Sequence, residues 1–68
     1  MANGRPTPKR AIRETLSSYE ELESIETDGF DFRGNARYRC LIATLANGGT
    51  YFTQTYIIDE LTGEARRA

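Results

Sequence analysis

The chain has 68 residues with one cysteine and no histidine, which excludes an internal disulfide and any zinc site built from clustered Cys and His. Its content, 38% hydrophobic and 28% charged, excludes a disordered polyelectrolyte, and a formal net charge of −1 by itself points to neither a nucleic acid nor an anionic membrane. A chain this short buries only about 60% of its unfolded surface, so packing must supply the stability alone or be completed by another subunit.

Taken in order, residues 1–7 read as a flexible basic arm, small and polar, with Asn3, Gly4 and Pro6 and nothing that needs burial. The arm lacks the apolar run of a secretory signal, so a cytoplasmic location is the expectation. Residues 8–68 read as a single small domain. Thr7-Pro8 is a helix-start signal, threonine as cap and proline in the first turn. Ile12, Leu16, Tyr19, Leu22 and Ile25 follow at spacings of 4, 3, 3 and 3, the period of a helix face, which predicts one helix over residues 9–25. Ser17 with Glu20 and Ser18 with Glu21 form S-x-x-E capping boxes, so a first turn followed by a helix starting near Ser18 is the competing arrangement. Acids crowd the later turns, where the macrodipole disfavours them in a single long helix.

Thr27-Asp28-Gly29 ends the helical pattern and the period changes to two. Strands are predicted at residues 30–32, 36–45 and 50–58, the last two dense in Tyr, Ile and Thr. Residues 40–58 hold no charged side chain. Asn47, Gly48, Gly49 and Gln54, with four threonines, mark this stretch as two strands around a turn and not as a membrane span. The Asn47-Gly48 pair predicts a two-residue hairpin loop. That register puts Arg37, Arg39, Leu41, Ala43 and Leu45 on one face with Phe52, Gln54, Tyr56 and Ile58. Tyr38, Cys40, Ile42 and Thr44 then share the other with Tyr51, Thr53, Thr55 and Ile57; an odd loop exchanges the partners. Leu41, Leu45, Phe52 and Ile58 are expected to form the core under the helix. The fold class is α+β: one N-terminal helix packed on a three-stranded antiparallel β-meander, with a polar C-terminal segment that turns at Thr62-Gly63.

No phosphate loop, nucleophile elbow, dinucleotide fingerprint or calcium-loop spacing occurs, and the lone Cys40 has no histidine base beside it. No catalytic residue, cofactor or metal is therefore expected. The expected function is a non-enzymatic protein–protein interaction module, acting as a homo-oligomer or as a regulator or inhibitor docking on a larger partner through its sheet face or edge. The candidate interface is Tyr38, Ile42, Tyr51, Thr53, Thr55 and Ile57, the face the single helix cannot cover. The alternative is nucleic-acid binding through Arg5, Lys9, Arg10 and Arg13 of the N-terminal segment and Arg33, Arg37 and Arg39 of the strands. Between these basic blocks lie Glu14, Glu20, Glu21, Glu23, Glu26, Asp28 and Asp31 with no base among them, either a solvated acidic face or a surface for a basic partner.

Overall fold

The computed structural model describes residues 7–68, so all of the expected basic arm except Thr7 lies outside the described residues. The described chain forms one short helix, α1 (Pro8–Arg13), and four strands, β1 (Glu20–Phe30), β2 (Ala36–Thr44), β3 (Thr50–Ile58) and β4 (Ala65–Arg67). The strands make one antiparallel sheet in the order β1-β2-β3-β4, and the α+β architecture is as read, with a fourth strand, β4, added; the first strand is not the expected 30–32 but β1, which ends at Phe30 and gives way to a turn over residues 31–35. The molecule is a slab of 37 × 29 × 15 Å, deep enough for a sheet with one covering layer, since packed layers stand about 10 Å apart.

The Thr7-Pro8 signal starts α1: Thr7 is extended, and its Oγ1 accepts from the Arg10 N–H at 3.2 Å. The helix stops at Arg13 and does not run to Ile25. The Ser17/Glu20 pair closes a turn and starts no helix. Glu20 Oε1 accepts from the Ser17 N–H at 3.0 Å and from its hydroxyl at 3.1 Å, and the Glu20 N–H bonds the Ser17 carbonyl. The chain then leaves as β1.

β1 carries two register shifts, and the first explains why Leu22 and Ile25 keep a helical spacing on a strand. Leu22 pairs with Ile42, and after one extra residue Ile25 pairs with Cys40; after a second irregularity Phe30 pairs with Ala36. An extra residue between two core-facing positions turns a spacing of two into three. Leu22 and Ile25 thus share a face as strand residues. The extended path also sets the acids of β1 beside the bases of β2. Arg39 pairs with Glu26 at 3.6 Å and Asp28 at 3.7 Å, and Arg37 with Asp28 at 3.5 Å.

The β2–β3 loop departs from the two-residue turn. Thr44 pairs with Thr50, so the loop is Leu45 to Gly49, an odd number of residues, built on a 3-10 turn over Ala46–Gly48. Gly48 and Gly49 both take positive φ, 86° and 78°, which lets the chain close a five-residue loop centred on Asn47 in place of a two-residue turn over the Asn-Gly pair. The faces therefore exchange. Tyr38, Cys40 and Ile42 lie with Phe52, Tyr56 and Ile58 on one side, while Arg37 and Arg39 lie with Thr53 and Thr55 on the other. Segregation of polarity favours this register. The two-residue alternative puts two arginines on the face of Phe52 and Ile58, and a one-residue slip moves every side chain of a strand across.

The core is Ile12, Leu22, Cys40, Ile42 and Tyr56, with Leu16, Ile25, Tyr38, Phe52, Ile58 and Ala65 packed around it. Ile12, on the buried side of α1, is fully buried against the sheet. Of the expected core, Phe52 and Ile58 pack here. Leu41 and Leu45 do not: Leu41 turns outward with the odd residues of β2, and Leu45 sits in the loop, 62% exposed. Tyr56 carries the only hydroxyl of the buried cluster. It shares a hydrogen bond with Thr15 Oγ1 at 2.9 Å and accepts from Arg67 Nε at 3.1 Å. Arg67 reaches on to Glu20 at 3.6 Å, so β4 is tied to β1 directly and, through Tyr56, to the turn that follows α1.

Two aspartate turns close the end of the sheet opposite the 3-10 turn. Asp31 Oδ1 accepts from the N–H groups of Arg33 and Asn35, both at 2.8 Å, and Asp59 Oδ1 accepts from Leu61 at 2.8 Å and Thr62 at 2.9 Å. Asn35, buried, joins them: its Nδ2 donates to Asp31 and its Oδ1 accepts from the Glu60 N–H at 2.9 Å. For Asp31 partial burial works to raise the pKa, and the backbone and side-chain donors of Asn35 with the Arg33 N–H outweigh it, so the group is held low. Asp59 is lowered by the Thr62 and then the Leu61 N–H, and Glu20 by the Ser17 N–H, each against an opposing burial effect.

Two predictions follow from this packing. Ile12→Ala should cost about 2–5 kcal/mol in urea denaturation, whereas Leu45→Ala should stay within about 0.5 kcal/mol; equal costs contradict the register. The three lowered carboxyls bind protons less readily folded than unfolded. Their stabilisation is thus complete above about pH 5 and is lost as pH falls through the folded values. Asp31→Asn with Asp59→Asn should lower the urea midpoint at neutral pH and flatten its fall below about pH 5.

Candidate protein-interaction surface

α1 covers the inner face of the sheet, where Ile12 lies, and no described element covers the outer one. The strand register assembles that outer face. Glu21, Ser24 and Glu26 of β1 stand opposite Ala43, Leu41 and Arg39 of β2. Those residues in turn stand opposite Tyr51, Thr53 and Thr55 of β3, and Arg37 stands opposite Ile57. The face is polar on its β1 side, where the Arg37 and Arg39 ion pairs lie, and apolar toward β3. Tyr51 is 62% exposed and Leu41 36%.

Four of the six residues expected at the interface stand together here: Tyr51, Thr53, Thr55 and Ile57. Tyr38 and Ile42 do not. The odd loop turns them inward, Ile42 to complete burial and Tyr38 to a place packed against the core. Leu41 and Ala43 take their places on the outer face, though only Leu41 is exposed there; Ala43 is buried. The signal that locates them is charge parity: Arg37 and Arg39 mark the odd residues of β2 as outward, and Leu41 and Ala43 follow by alternation.

The outer face runs into an open edge. β4 pairs only with Tyr56, Ile57 and Ile58. The Ala68 N–H reaches the Thr55 carbonyl at 3.0 Å and the Asp59 N–H reaches the Glu64 carbonyl at 2.8 Å, so odd residues of β3 direct their backbone groups toward β4. By the same alternation the N–H and C=O groups of Tyr51 and Thr53 point out of the sheet, beyond the end of β4.

The basic residues are dispersed. Arg5 lies outside the described residues. Lys9, Arg10 and Arg13 are exposed on α1, with Arg10 paired to Glu14 at 3.4 Å. Arg33 stacks over the Phe32 ring at 5.3 Å on the 31–35 turn. Arg37 and Arg39 face carboxylates. The acidic run of β1 meets these strand arginines through Glu26 and Asp28; such exposed pairs contribute about 0–1 kcal/mol each.

Cys40 is buried, and that burial pushes its pKa up, which disfavours the reactive thiolate. Among the described residues no cluster of Cys, Asp and Glu is placed to hold a metal ion, and no helix is long and apolar enough to cross a membrane. An open depression between the end of α1 and the start of β1 is lined by Arg13, Leu16, Ser17, Glu20, Glu21 and Leu22. Its glutamate Glu20 is already engaged by Ser17 and Arg67. Comparison with protein-family models, curated proteins and solved structures finds no match.

The sidedness has a direct test. Tyr51→Glu should leave stability within about 1 kcal/mol, while Ile42→Glu, which buries an unpaired carboxylate, should abolish the cooperative urea transition. Circular dichroism through the titration reads both; the reverse order contradicts the assignment of faces.

Proposed function

We propose that this chain is a non-enzymatic protein-interaction module that docks through the outer sheet face and the adjoining β3 edge, as a homo-oligomer or as a small regulator of a larger partner. One observation carries this reading: among the described residues one six-residue helix covers one face of the sheet, and none covers Leu41, Tyr51 or the backbone groups of Tyr51 and Thr53. Exposed apolar surface next to an open edge is the arrangement by which sheets recruit further chains. Arg37 and Arg39 give less support to nucleic-acid binding, because Glu26 and Asp28 already offset their charge.

Tagged protein incubated with an extract of the source cell tests the reading. Wild type and a Lys9→Glu control on α1 should retain the same bound protein, with stoichiometry near one to one, while Tyr51→Glu loses it. Retention by all three removes the outer face and edge from consideration.

A further inference from the structure

We propose that β3 pairs with β3 of a second copy, antiparallel about a two-fold axis through Phe52, so that one sheet runs through both chains; this rests on the interaction reading above and names its partner.

The two edges of the sheet differ in kind. β1 is protected. It carries two bulges, and Glu20, Glu21, Glu23, Glu26 and Asp28 lie along it, the devices that keep an edge from pairing. β3 has none of them in its open half. Thr50 to Thr55 hold no charge, no proline and no bulge, and the register with β2 is unbroken from Ala36↔Ile58 to Thr44↔Thr50. The segment is rich in threonine and aromatic residues, which favour strands.

The occupant follows from the pattern of free groups. Tyr51 and Thr53 are the positions whose N–H and C=O point outward beyond β4, while the Thr55 carbonyl is taken by Ala68. Antiparallel pairing about Phe52 sets Tyr51 opposite Thr53 of the second copy, and Thr53 opposite its Tyr51. Each couple then exchanges both of its hydrogen bonds. An axis at Thr53 sets Tyr51, one of the two free positions, against Thr55, which Ala68 already occupies; the axis at Phe52 brings only Gly49 there, a residue outside β3 that turns away in the left-handed region. The junction is electrically neutral, so two identical segments meet without like-charge repulsion, and the acidic β1 edges lie on the far sides of the assembly. β1 of another copy is a poor occupant, since its bulges break the ladder that straight pairing needs. The contact is therefore isologous and closes at two chains. On the inner face Phe52, half-buried, lies beside Phe52 of the second copy and extends the core.

The test is sedimentation equilibrium over a concentration series, with amide exchange followed residue by residue by NMR. Wild type should approach twice the chain mass. Its Tyr51 and Thr53 amides should exchange about tenfold more slowly at a concentration about 100 times the dimer dissociation constant than in dilute monomer. Thr53→Pro removes an N–H that makes no bond within the monomer, a strand setting that tolerates proline, and should remain a folded monomer. A wild-type monomer with rapid exchange at both amides overturns the proposal. So does a dimer in which those amides stay rapid, for its contact lies elsewhere. If the two amides become protected only when cell extract is added, self-pairing fails and the interaction reading stands. The exchange measurement needs no variant, so it decides the matter even if Thr53→Pro does not fold.

Discussion

The burial of Ile12, carried by a helix of six residues, against the inner face of the sheet is the contact on which the remainder of the molecule depends. A sheet of four strands has two faces to account for, and α1 supplies cover for the middle of one. Every apolar side chain that needs protection must therefore converge beneath Ala11 and Ile12. The odd β2–β3 loop and the bulges of β1 bring that about. They aim Leu22, Ile25, Cys40, Ile42 and Tyr56 at the same small region. Because the cover is narrow, its rim is held by polar bonds. Thr15, Tyr56, Arg67 and Glu20 link the helix exit, the third strand, the last strand and the first. A tyrosine suits that place, since its ring fills the core and its hydroxyl reaches a partner at the margin.

Much of the fold was legible in the residues, and the parts that were not share a cause. Thr7-Pro8, the hairpin of β2 and β3, and the packing of Phe52 and Ile58 were visible because local signals and tertiary outcome agree there. The segment from Leu16 to Ile25 misled because bulges are not written in periodicity. Leu22 and Ile25 are spaced as on a helix, yet they share a strand face by virtue of one unpaired residue. The Asn-Gly pair misled for a related reason: the second glycine, Gly49, allowed the loop to widen, and the separation of arginines from aromatics decided its length. β4 is three residues, Ala-Arg-Arg, too short to show an alternation. Its presence depends on the Asp59 turn that folds the chain back.

The charge blocks have a similar history. Read linearly, an acidic run and a following basic run look like two surfaces, each in want of a partner. Antiparallel pairing lays part of one against part of the other, so Glu26 and Asp28 meet Arg39 and Arg37 across neighbouring strands. What the described part of the third strand leaves uncovered is different in character: neutral backbone groups and the exposed ring of Tyr51. Of the expected interface, the β3 members kept their place and the β2 members exchanged with their odd-numbered neighbours. The cause was the length of a single loop.

Asn35 gives the far end of the sheet a mechanical character. Its side chain connects turns that are distant in sequence, receiving the Glu60 N–H while binding Asp31. Neither turn can open without the other losing a bond, so local unfolding here involves both hairpins at once. The last strand has only three paired residues to hold it, and the Asp59 turn anchors its start. The Asp59 turn also holds itself, through Leu61, Thr62, Gly63 and Glu64, so the buried amide of Asn35 is a tie between two self-supporting turns, and its loss would uncouple them without dissolving either.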